Sequence, residues 1–559
     1  MSQFASADEL RQYLIDQAVA QYSYLFGTHF VPYRGISLGG GIALGVVQDA
    51  NFAGKTLSAT AVADGQANVA TSSPSSPTSF SGTNNQVAGV DEADLVKTDG
   101  QYIYVFSGNL LSIIKAWPAQ GLSIVSQETI EGNPVGLYLN DGRLTVISTV
   151  YENTNARNAV KITVLDVSDP TSPQIAQQTY LDGSYLSSRA IGDRVYVVVS
   201  NWYNLPQPEY QSDGDGYTYE TEDAYRARIA GLPLSSFLPH YYTPGDTSQD
   251  PLKDAGLLTD PLKTFKPVTT GYNQLVSLVV LDVSAPHSGI LDSVSVLAPY
   301  GSVVYATEEN LYLVAQRWNY PNPNDSLILK FHLGGDDVNL TAAGAVPGSV
   351  SSSYFFNEDH GYLRVVTSQW GASGQSSSLY VLAQQDDELK IVGSLQNLEP
   401  GESLYAAQFI GDDCFLITAR RVDPLVTLDL SDPTNPRLVG ELVIPGFLGY
   451  LQAIDSTHLL GIGQQWHDLQ ISLFDVSDLS HPLLLDQYVI GNYGDSAWSL
   501  ASSDPHAFGY YPEYQTLAIP VSGYSSQTHD QISYFAVLGV DPTPDSTLIG
   551  PSAPLHLVG

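Results

Sequence analysis

Short apolar runs separated by turn residues fill most of this chain. From residue 91 onward, runs rich in Val, Ile, Leu and Tyr alternate with Gly, Asp, Asn and Pro, and long helical periodicity is absent. This pattern predicts an all-β domain of short strands. One helix is predicted over residues 6–26, where Ser6 and Glu9 have the spacing of a capping box and apolar residues follow near one face.

A strand ending of the form Leu-Asp-Val-Ser recurs four times with small changes. Its aspartates are Asp166, Asp282, Asp429 and Asp475, spaced 116, 147 and 46 residues apart. The interval of 147 residues holds three units of 49, and degenerate copies place His332 and Val381 at the two intermediate positions. The interval of 116 residues fits one unit carrying a large insertion.

A period of 40 to 50 residues, with about four strands in each unit, is typical of small sheets stacked radially. The sequence therefore predicts a β-propeller with eight blades, and seven blades is the alternative. The recurring aspartates are interpreted as structural, because Asp and Ser side chains at a strand end accept backbone N–H groups in a turn.

Three regions differ in texture. Residues 1–34 form a helical segment, and residues 35–90 are rich in Gly, Ser and Ala, which indicates a linker or a loosely laid segment. Residues 91–559 form the predicted propeller, with a large insertion at about 203–270.

Charge and composition exclude several classes of partner. The 22 Lys and Arg residues against 58 Asp and Glu give a net charge of −36, which would repel nucleic acid. A single cysteine excludes a disulfide framework and a Cys-rich metal site. No run of 18 apolar residues predicts membrane insertion, and the first residues lack the features of an export signal. Even so, the 14% charged residues, 35 Tyr and few Lys are typical of an extracellular or cell-surface protein.

The segment Thr83-Asn-Asn-Gln-Val-Ala-Gly-Val-Asp-Glu-Ala-Asp-Leu-Val-Lys-Thr-Asp-Gly-Gln-Tyr-Ile-Tyr104 resembles a bacterial and archaeal family of secreted proteins with a C-terminal β-propeller domain. The lead Phe4–Leu14 and the Leu-Asp-Val-Ser endings extend the resemblance over most of the chain. The resemblance implies an exported protein, distantly similar to WD40-type repeats. It supplies no catalytic residues.

The insertion contains two groups of candidate site residues. Carboxylates that calcium would bind in a flexible loop are Asp213, Asp215, Glu220, Glu222 and Asp223. Their spacing lacks the full pattern of a calcium-binding loop, so a solvated acidic loop is the favoured interpretation. No other cofactor is indicated. Aromatic residues that would stack on sugar rings or anchor a protein partner are Trp202, Tyr203, Tyr217, Tyr219, Tyr241 and Tyr242. Alternatively, these rings pin the insertion to the propeller.

The predicted function is a non-catalytic extracellular or cell-surface binding module for a protein or glycan ligand. The alternative is an extracellular polysaccharide-active hydrolase or lyase with its site at the central channel. Carboxylate, His and Arg side chains converging there beside a deep pocket would make the enzyme the better supported hypothesis.

Overall fold

The computed structural model describes most of the chain. The described residues are 2–31, 80–152, 157–202, 205–214, 216–247, 250–267, 274–285, 289–317, 325–371, 374–419, 423–491, 496–526, 528–542 and 549–551. The chain divides into two compact units, one formed by residues 1–11, 77–204 and 233–559, and the other by residues 12–76 and 205–232.

In the first unit, the described strands pair in chain order as eight antiparallel groups of four, here called blades 1 to 8. Blade 1 contains Val96–Thr98, Tyr102–Ser107, Leu110–Lys115 and Ser123–Thr129. Blade 2 contains Asn133–Asn140, Arg143–Glu152, Arg157–Asp166 and Gln174–Asp182. Blade 3 contains Ser184–Ile191, Arg194–Asn201, Gln274–Asp282 and Ile290–Ala298. Blade 4 contains Gly301–Ala306, Asn310–Arg317, Asp325–Leu333 and Val338–Pro347.

The remaining blades follow the same order. Blade 5 contains Phe356–Asp359, Tyr362–Gly371, Gly374–Gln385 and Glu388–Leu398. Blade 6 contains Ser403–Ile410, Asp413–Ala419, Asp423–Asp429 and Arg437–Ile444. Blade 7 contains Phe447–Ala453, His458–Gln465, Asp468–Asp475 and Leu483–Ile490. Blade 8 contains Ser496–Trp498, Thr516–Tyr524, Gln531–Val540 and Ile549–Pro551.

Several short strands extend these sheets. Asp91–Glu92 pairs with the first strand of blade 3, and Thr264–Phe265 runs parallel to its fourth strand. The hairpin His240–Thr247 and Asp250–Leu257 adds to the fourth strand of blade 2. Gly509–Tyr511 pairs with the second strand of blade 8.

Neighbouring blades bury each other's apolar faces. Leu460 and Ile462 of blade 7, for example, pack in one core cluster with Leu517 and Ile519 of blade 8. The second and third strands read as nearly continuous apolar runs because sheets cover them on both faces. The predicted β-propeller is confirmed.

The recurring aspartates lie in the turns between the third and fourth strands. Asp166, Asp282, Asp429 and Asp475 each accept the backbone N–H of the serine two residues later, at 2.9–3.1 Å. These hydrogen bonds favour the charged form and hold the pKa of Asp166, Asp429 and Asp475 below the usual range. The side chains stabilise turns, as the sequence predicts.

The first helix, α1, spans Ala7–Tyr22 and is shorter than the predicted 6–26. Ser6 Oγ accepts the N–H of Glu9 at 3.1 Å, and the Glu9 carboxylate accepts the N–H of Ala5 at 2.6 Å, so both capping residues act at the N-terminus. No helix among the described residues is long and apolar enough to cross a membrane.

The second unit contains a small sheet and a helix. Its strands are His29–Phe30, Tyr210–Asp213 and Gly216–Tyr219, and its helix, α2, spans Glu222–Ala230. Tyr225 of α2 is fully buried against Tyr22 and Phe26. The predicted insertion at 203–270 is therefore divided between the two units, because residues from 233 onward belong to the first.

Candidate functional site

A cavity of about 820 Å³ lies in the first unit, where the first strands of several blades converge. Val135, Tyr185, Leu404 and Phe447 line it, and each lies at or near the start of the first strand of blade 2, 3, 6 or 7. The segments 351–355 and 502–506, which belong to blades 5 and 8, complete the wall. We call this space the central cavity.

Residues 83–94, here called the axial segment, connect blades on different sides of the central cavity. The Asn84 amide donates hydrogen bonds to Tyr450 Oη at 3.2 Å, and at 3.0 Å to both Gln452 Oε1 and the carbonyl of Pro505. The Gln86 amide donates to the carbonyls of Ser353 and Phe356. The axial segment therefore links blades 5, 7 and 8.

The remainder of the axial segment is also fixed. Val90 is buried in the core shared by blades 3 and 4. The buried Lys97 ammonium donates to Thr83 Oγ1, Asp91 Oδ1 and the carbonyl of Glu92, at 2.6–2.8 Å. Residues 80–90 of the predicted linker 35–90 belong to the first unit, while residues 35–79 lie outside the described residues, so the bounds of the linker stay a prediction.

Three ionisable side chains meet at the wall of the central cavity. Glu92 Oε1 lies 3.1 Å from Arg189 Nη2, and Glu92 Oε2 lies 3.1 Å from His506 Nε2. Glu92 and Arg189 are both buried. Glu92 belongs to the axial segment, Arg189 to blade 3 and His506 to blade 8. The cluster therefore joins three parts of the fold.

The pairing controls how these groups titrate. Burial of Glu92 opposes its ionisation, but His506 and Arg189 outweigh burial and lower its pKa below the usual value. Burial likewise opposes the charge on His506, and the Glu92 carboxylate outweighs it and raises the pKa of His506. Each charge in the cluster is thus compensated by a neighbour.

The rest of the cavity wall carries hydroxyl groups and aromatic rings. The hydroxyl groups belong to Ser187, Ser351, Ser352, Ser353, Ser502 and Ser503, and the rings to Tyr185, Tyr354, Phe355, Tyr405, Phe447 and Tyr450. Ser502 Oγ is buried without a hydrogen-bond partner. Tyr405 and Phe447 form an edge-to-face pair with centroids 4.5 Å apart. Such a wall suits a ligand that carries both hydroxyl groups and an apolar face.

A smaller cavity of about 70 Å³ also borders the axial segment. Amide side chains dominate its lining: Asn85, Gln86, Asn357, Gln408 and Gln452. Gln86 Oε1 is buried there without a hydrogen-bond partner. A space of this size and polarity suits bound water.

The predicted calcium ligands are engaged in other contacts or lie apart. Glu220 pairs with Arg228 at 2.5 Å, Glu222 pairs with Arg226 at 2.8 Å, and Asp213 bonds to Thr218. Asp223 lies in the first turn of α2, and Asp215 is outside the described residues. Calcium at this loop stays a prediction.

The predicted aromatic binding residues separate into three settings. Tyr217 and Tyr219 pack with Phe30 and Tyr210 in the second unit. Tyr242 stacks on Tyr180 of blade 2 with ring centroids 4.7 Å apart, and the half-buried Tyr241 packs against the core shared by blades 2 and 3. Both rings therefore attach this part of the insertion to the first unit, to which it belongs. Trp202 is exposed, and Tyr203 lies outside the described residues.

One group of possible metal ligands occurs among the described residues. Asp359, His360 and Asp412 present ligand atoms to a common point. The guanidinium of Arg364 already contacts this group, at 3.3 Å from Asp359 and 2.7 Å from Asp412. We therefore interpret these carboxylates as partners of the buried arginine.

Sequence reasoning did not identify Glu92, Arg189 and His506. The available signal was the concentration of amide and acidic residues between positions 83 and 94, which resembled a family but suggested no role for any single residue.

A family model agrees with the architecture, and several known proteins are similar to this chain. A family model described as "Beta propeller domain" matches residues 80–550. An uncharacterised protein of Methanocaldococcus jannaschii is 29% identical over 487 residues, covering 79% of this chain and 74% of that protein. An uncharacterised protein of Archaeoglobus fulgidus is 28% identical over 487 residues, covering 77% of this chain and 74% of that protein. A solved structure of a protein from Lactobacillus plantarum matches 49% of this chain and 76% of its own, at 13% identity and a TM-score of 0.31.

Proposed function

Because this chain belongs to the beta propeller domain family, we propose that it is a non-catalytic binding module that holds a saccharide in its central cavity. A propeller fold by itself hosts many functions, so the proposal depends on the site. The observation that carries it is the lining of the cavity, which contains both serine hydroxyls and the rings of tyrosine and phenylalanine. Hydroxyl groups and an apolar ring face are the two features of a sugar that such a wall recognises.

The volume and the polar groups fit this ligand. At about 820 Å³ the central cavity lies within the range of small-molecule sites. Ser502 lines the cavity, and its buried Oγ has no hydrogen-bond partner. A bound saccharide would satisfy this group and so recover the cost of burying it.

We also infer an extracellular or cell-surface location. The low charged fraction, the abundance of tyrosine and the resemblance to secreted proteins support this location.

The second candidate is a polysaccharide-active hydrolase or lyase. The cluster of Glu92, Arg189 and His506 at the cavity wall favours it, since carboxylate, imidazole and guanidinium groups meet beside the central cavity. Binding remains the better supported function because these charges are used within the protein. Arg189 also donates to the carbonyls of Ser188 and Val304, and His506 Nδ1 faces Asp504 at 3.6 Å.

Calorimetric titration with a panel of neutral oligosaccharides tests the proposal. We expect at least one to bind the wild type, and Ser502→Val and Tyr405→Ala to weaken that binding about tenfold. Tyr514→Ala is the matched control, because Tyr514 is an exposed ring that does not line the central cavity. Absence of binding across the panel would contradict the proposal.

A turnover assay separates the two candidates. The wild type, Glu92→Gln and His506→Gln are incubated with chromogenic glycosides and polysaccharides. We expect no product from any of them. Product formed by the wild type would establish the enzyme instead, and circular dichroism of the two variants shows whether any loss of product reflects unfolding.

A further inference from the structure

Five exposed large aromatic side chains share one position in the blade. The residues and their exposed fractions are Tyr151 at 60%, Trp202 at 67%, Trp370 at 79%, Trp466 at 90% and Tyr524 at 40%. They belong to blades 2, 3, 5, 7 and 8, and each lies at the end of the second strand or just beyond it. We call these five residues the aromatic crown.

The pairing of the strands places the aromatic crown beside the central cavity. In blade 7, Gln465 at the end of the second strand pairs with Asp468 of the third, and Trp466 lies between them. In the same blade, Phe447 at the start of the first strand pairs with Gln464. The start of the first strand and the hairpin that follows the second strand therefore share one edge of the blade.

The same relation holds in other blades. Ser184 at the start of blade 3 pairs with Ser200, two residues before Trp202. Ser496 at the start of blade 8 pairs directly with Tyr524. Because the starts of the first strands line the central cavity in blades 2, 3, 6 and 7, the hairpins carrying the crown surround that cavity on the same face.

The opposite edge of the blades has a different chemistry. The turns between the third and fourth strands carry Asp166, Asp282, Asp429 and Asp475, and these carboxylates are already bound to turn N–H groups. The exposed crown is therefore concentrated on the edge that bears the cavity.

Packing does not account for the exposure of the crown. Trp466 lies at the hairpin tip with a φ of 62°, a left-handed conformation that is uncommon for a residue with a bulky side chain. Trp and Tyr rings are the side chains most often used as contact anchors in recognition surfaces. A set of such rings around a cavity indicates a surface for a ligand larger than the cavity.

The chemical class of the ligand follows from the distribution of the rings over separate blades and from the net charge of the protein. The rings lie on separate blades, and polar residues flank some of them, such as Gln369 beside Trp370 and Gln465 and His467 beside Trp466. Rings on separate blades do not form one continuous apolar patch of the kind that marks a membrane-contacting surface. Separate rings suit a polymer of sugar units, because each sugar face can stack on one ring. The net charge of −36 selects against a polyanion.

We propose that the aromatic crown binds a neutral polysaccharide whose chain extends from the central cavity across this face. The inference deepens the proposed function and rests on it for the saccharide in the cavity. The crown supplies affinity along the polymer, and the cavity holds one local segment.

The test compares polymers with short oligosaccharides of the same composition. Affinity electrophoresis uses neutral glucan, mannan, xylan and galactan, and calorimetry uses the matching oligosaccharides. We expect the double variant Trp370→Ala/Trp466→Ala to lose about tenfold or more of the polysaccharide affinity. Binding of the oligosaccharide in the cavity should remain within about twofold of the wild type. Both rings are exposed, so the variant is expected to keep the fold, which circular dichroism and thermal unfolding verify.

The outcomes separate the two proposals. Ser502→Val should weaken oligosaccharide binding, and Tyr514→Ala should change neither measurement. If the wild type binds none of the four polysaccharides, or if the double variant binds them as well as the wild type, the crown proposal is wrong even when the cavity binds oligosaccharides. Crown-dependent binding to phosphatidylcholine vesicles without polysaccharide binding would overturn it in favour of a lipid surface.

Discussion

Glu92 shows how a buried charge is tolerated at the centre of this molecule. Its side chain is almost entirely shielded from solvent, yet the carboxylate stays ionised because Arg189 and His506 approach its two oxygens. A lone buried carboxylate would instead take up a proton. Glu92, Arg189 and His506 therefore form a charge-compensated trio, and removing one of them leaves a buried charge on the others without its partner.

Glu92→Gln is predicted to destabilise the protein strongly. The substitution leaves the buried Arg189 guanidinium without a carboxylate, and breaking a buried ion pair by removing one partner costs about 3–5 kcal/mol. Denaturant unfolding measures the loss. Glu388→Gln is the control, because the pair of Glu388 with Lys390 lies on the surface, where a pair contributes less than about 1 kcal/mol. Equal effects of the two substitutions would contradict the role given to Glu92.

His506 is predicted to make part of the stability depend on pH. Burial lowers its pKa, but the carboxylates of Glu92, Asp94 and Asp504 raise it above the usual 6.5. A raised pKa means that the folded state favours the protonated ring, so its stabilisation is fully present below pH 6.5 and is lost as pH rises through the folded-state pKa.

The measurement compares wild type with His506→Gln. The wild type should be the more stable near pH 6, and its advantage should shrink as the buffer approaches about pH 9. Asp504→Asn is the control variant. It retains the His506 imidazole and its hydrogen bond to Glu92, so it should keep most of the pH-dependent stability. A stability difference between wild type and His506→Gln that is constant over this range would contradict the prediction.

At the scale of elements, the turn after the third strand is the repeated unit of this fold. Asp475→Ala in blade 7 removes the acceptor for the Ser477 N–H at 2.9 Å. The expected cost is about 1 kcal/mol, since one hydrogen bond of a partly exposed turn is lost. Asp475→Asn retains an oxygen acceptor and should cost less than half as much. Thermal unfolding of the two variants provides the comparison, and equal losses would show that the charge rather than the turn geometry matters.

These turns also explain which features were predictable. The Asp-x-Ser motif acts through contacts two residues apart, so its spacing along the sequence carried the blade period directly. The axial segment acts through distant contacts: Glu92 and His506 are 414 residues apart. Its small and polar residues have the composition of a linker, and the bonds of Asn84 and Gln86 to other blades are tertiary. No local sequence pattern distinguishes a flexible linker from a segment such as this one, which is fixed by contacts with distant blades.

The aromatic crown shows a second limit of the same kind. Trp370 and Trp466 end apolar strands, where an aromatic residue is equally expected to be buried. In the structure Trp370 pairs with Gln375 near the end of its hairpin, Trp466 lies in a hairpin turn, and both rings are exposed to solvent. Trp202 was a predicted binding residue because of its place at the insertion, and the structure groups it instead with rings of four other blades.

At the scale of the whole molecule, the net charge of −36 sets the response to salt. The recurring turn carboxylates lie at equivalent positions in blades 2, 3, 6 and 7. Aspartates are charged at neutral pH, and the pKa values of Asp166, Asp429 and Asp475 are lowered further by their turn hydrogen bonds. Like charges repeated around one edge repel each other in the folded state more than in an extended chain. Screening should therefore stabilise the native protein.

We predict that added sodium chloride raises the thermal midpoint at neutral pH. The Debye length falls from about 30 Å at 0.01 M salt to about 3 Å at 1 M, which removes repulsion between blades while leaving close contacts nearly intact. Scanning calorimetry across this range should show a rise of a few degrees. The buried trio is shielded from salt, so Glu92→Gln should lower the midpoint by the same amount at both ends of the range. A midpoint that is constant or falls with salt would mean that attractive surface pairs, such as Arg437 with Asp429, outweigh the repulsion.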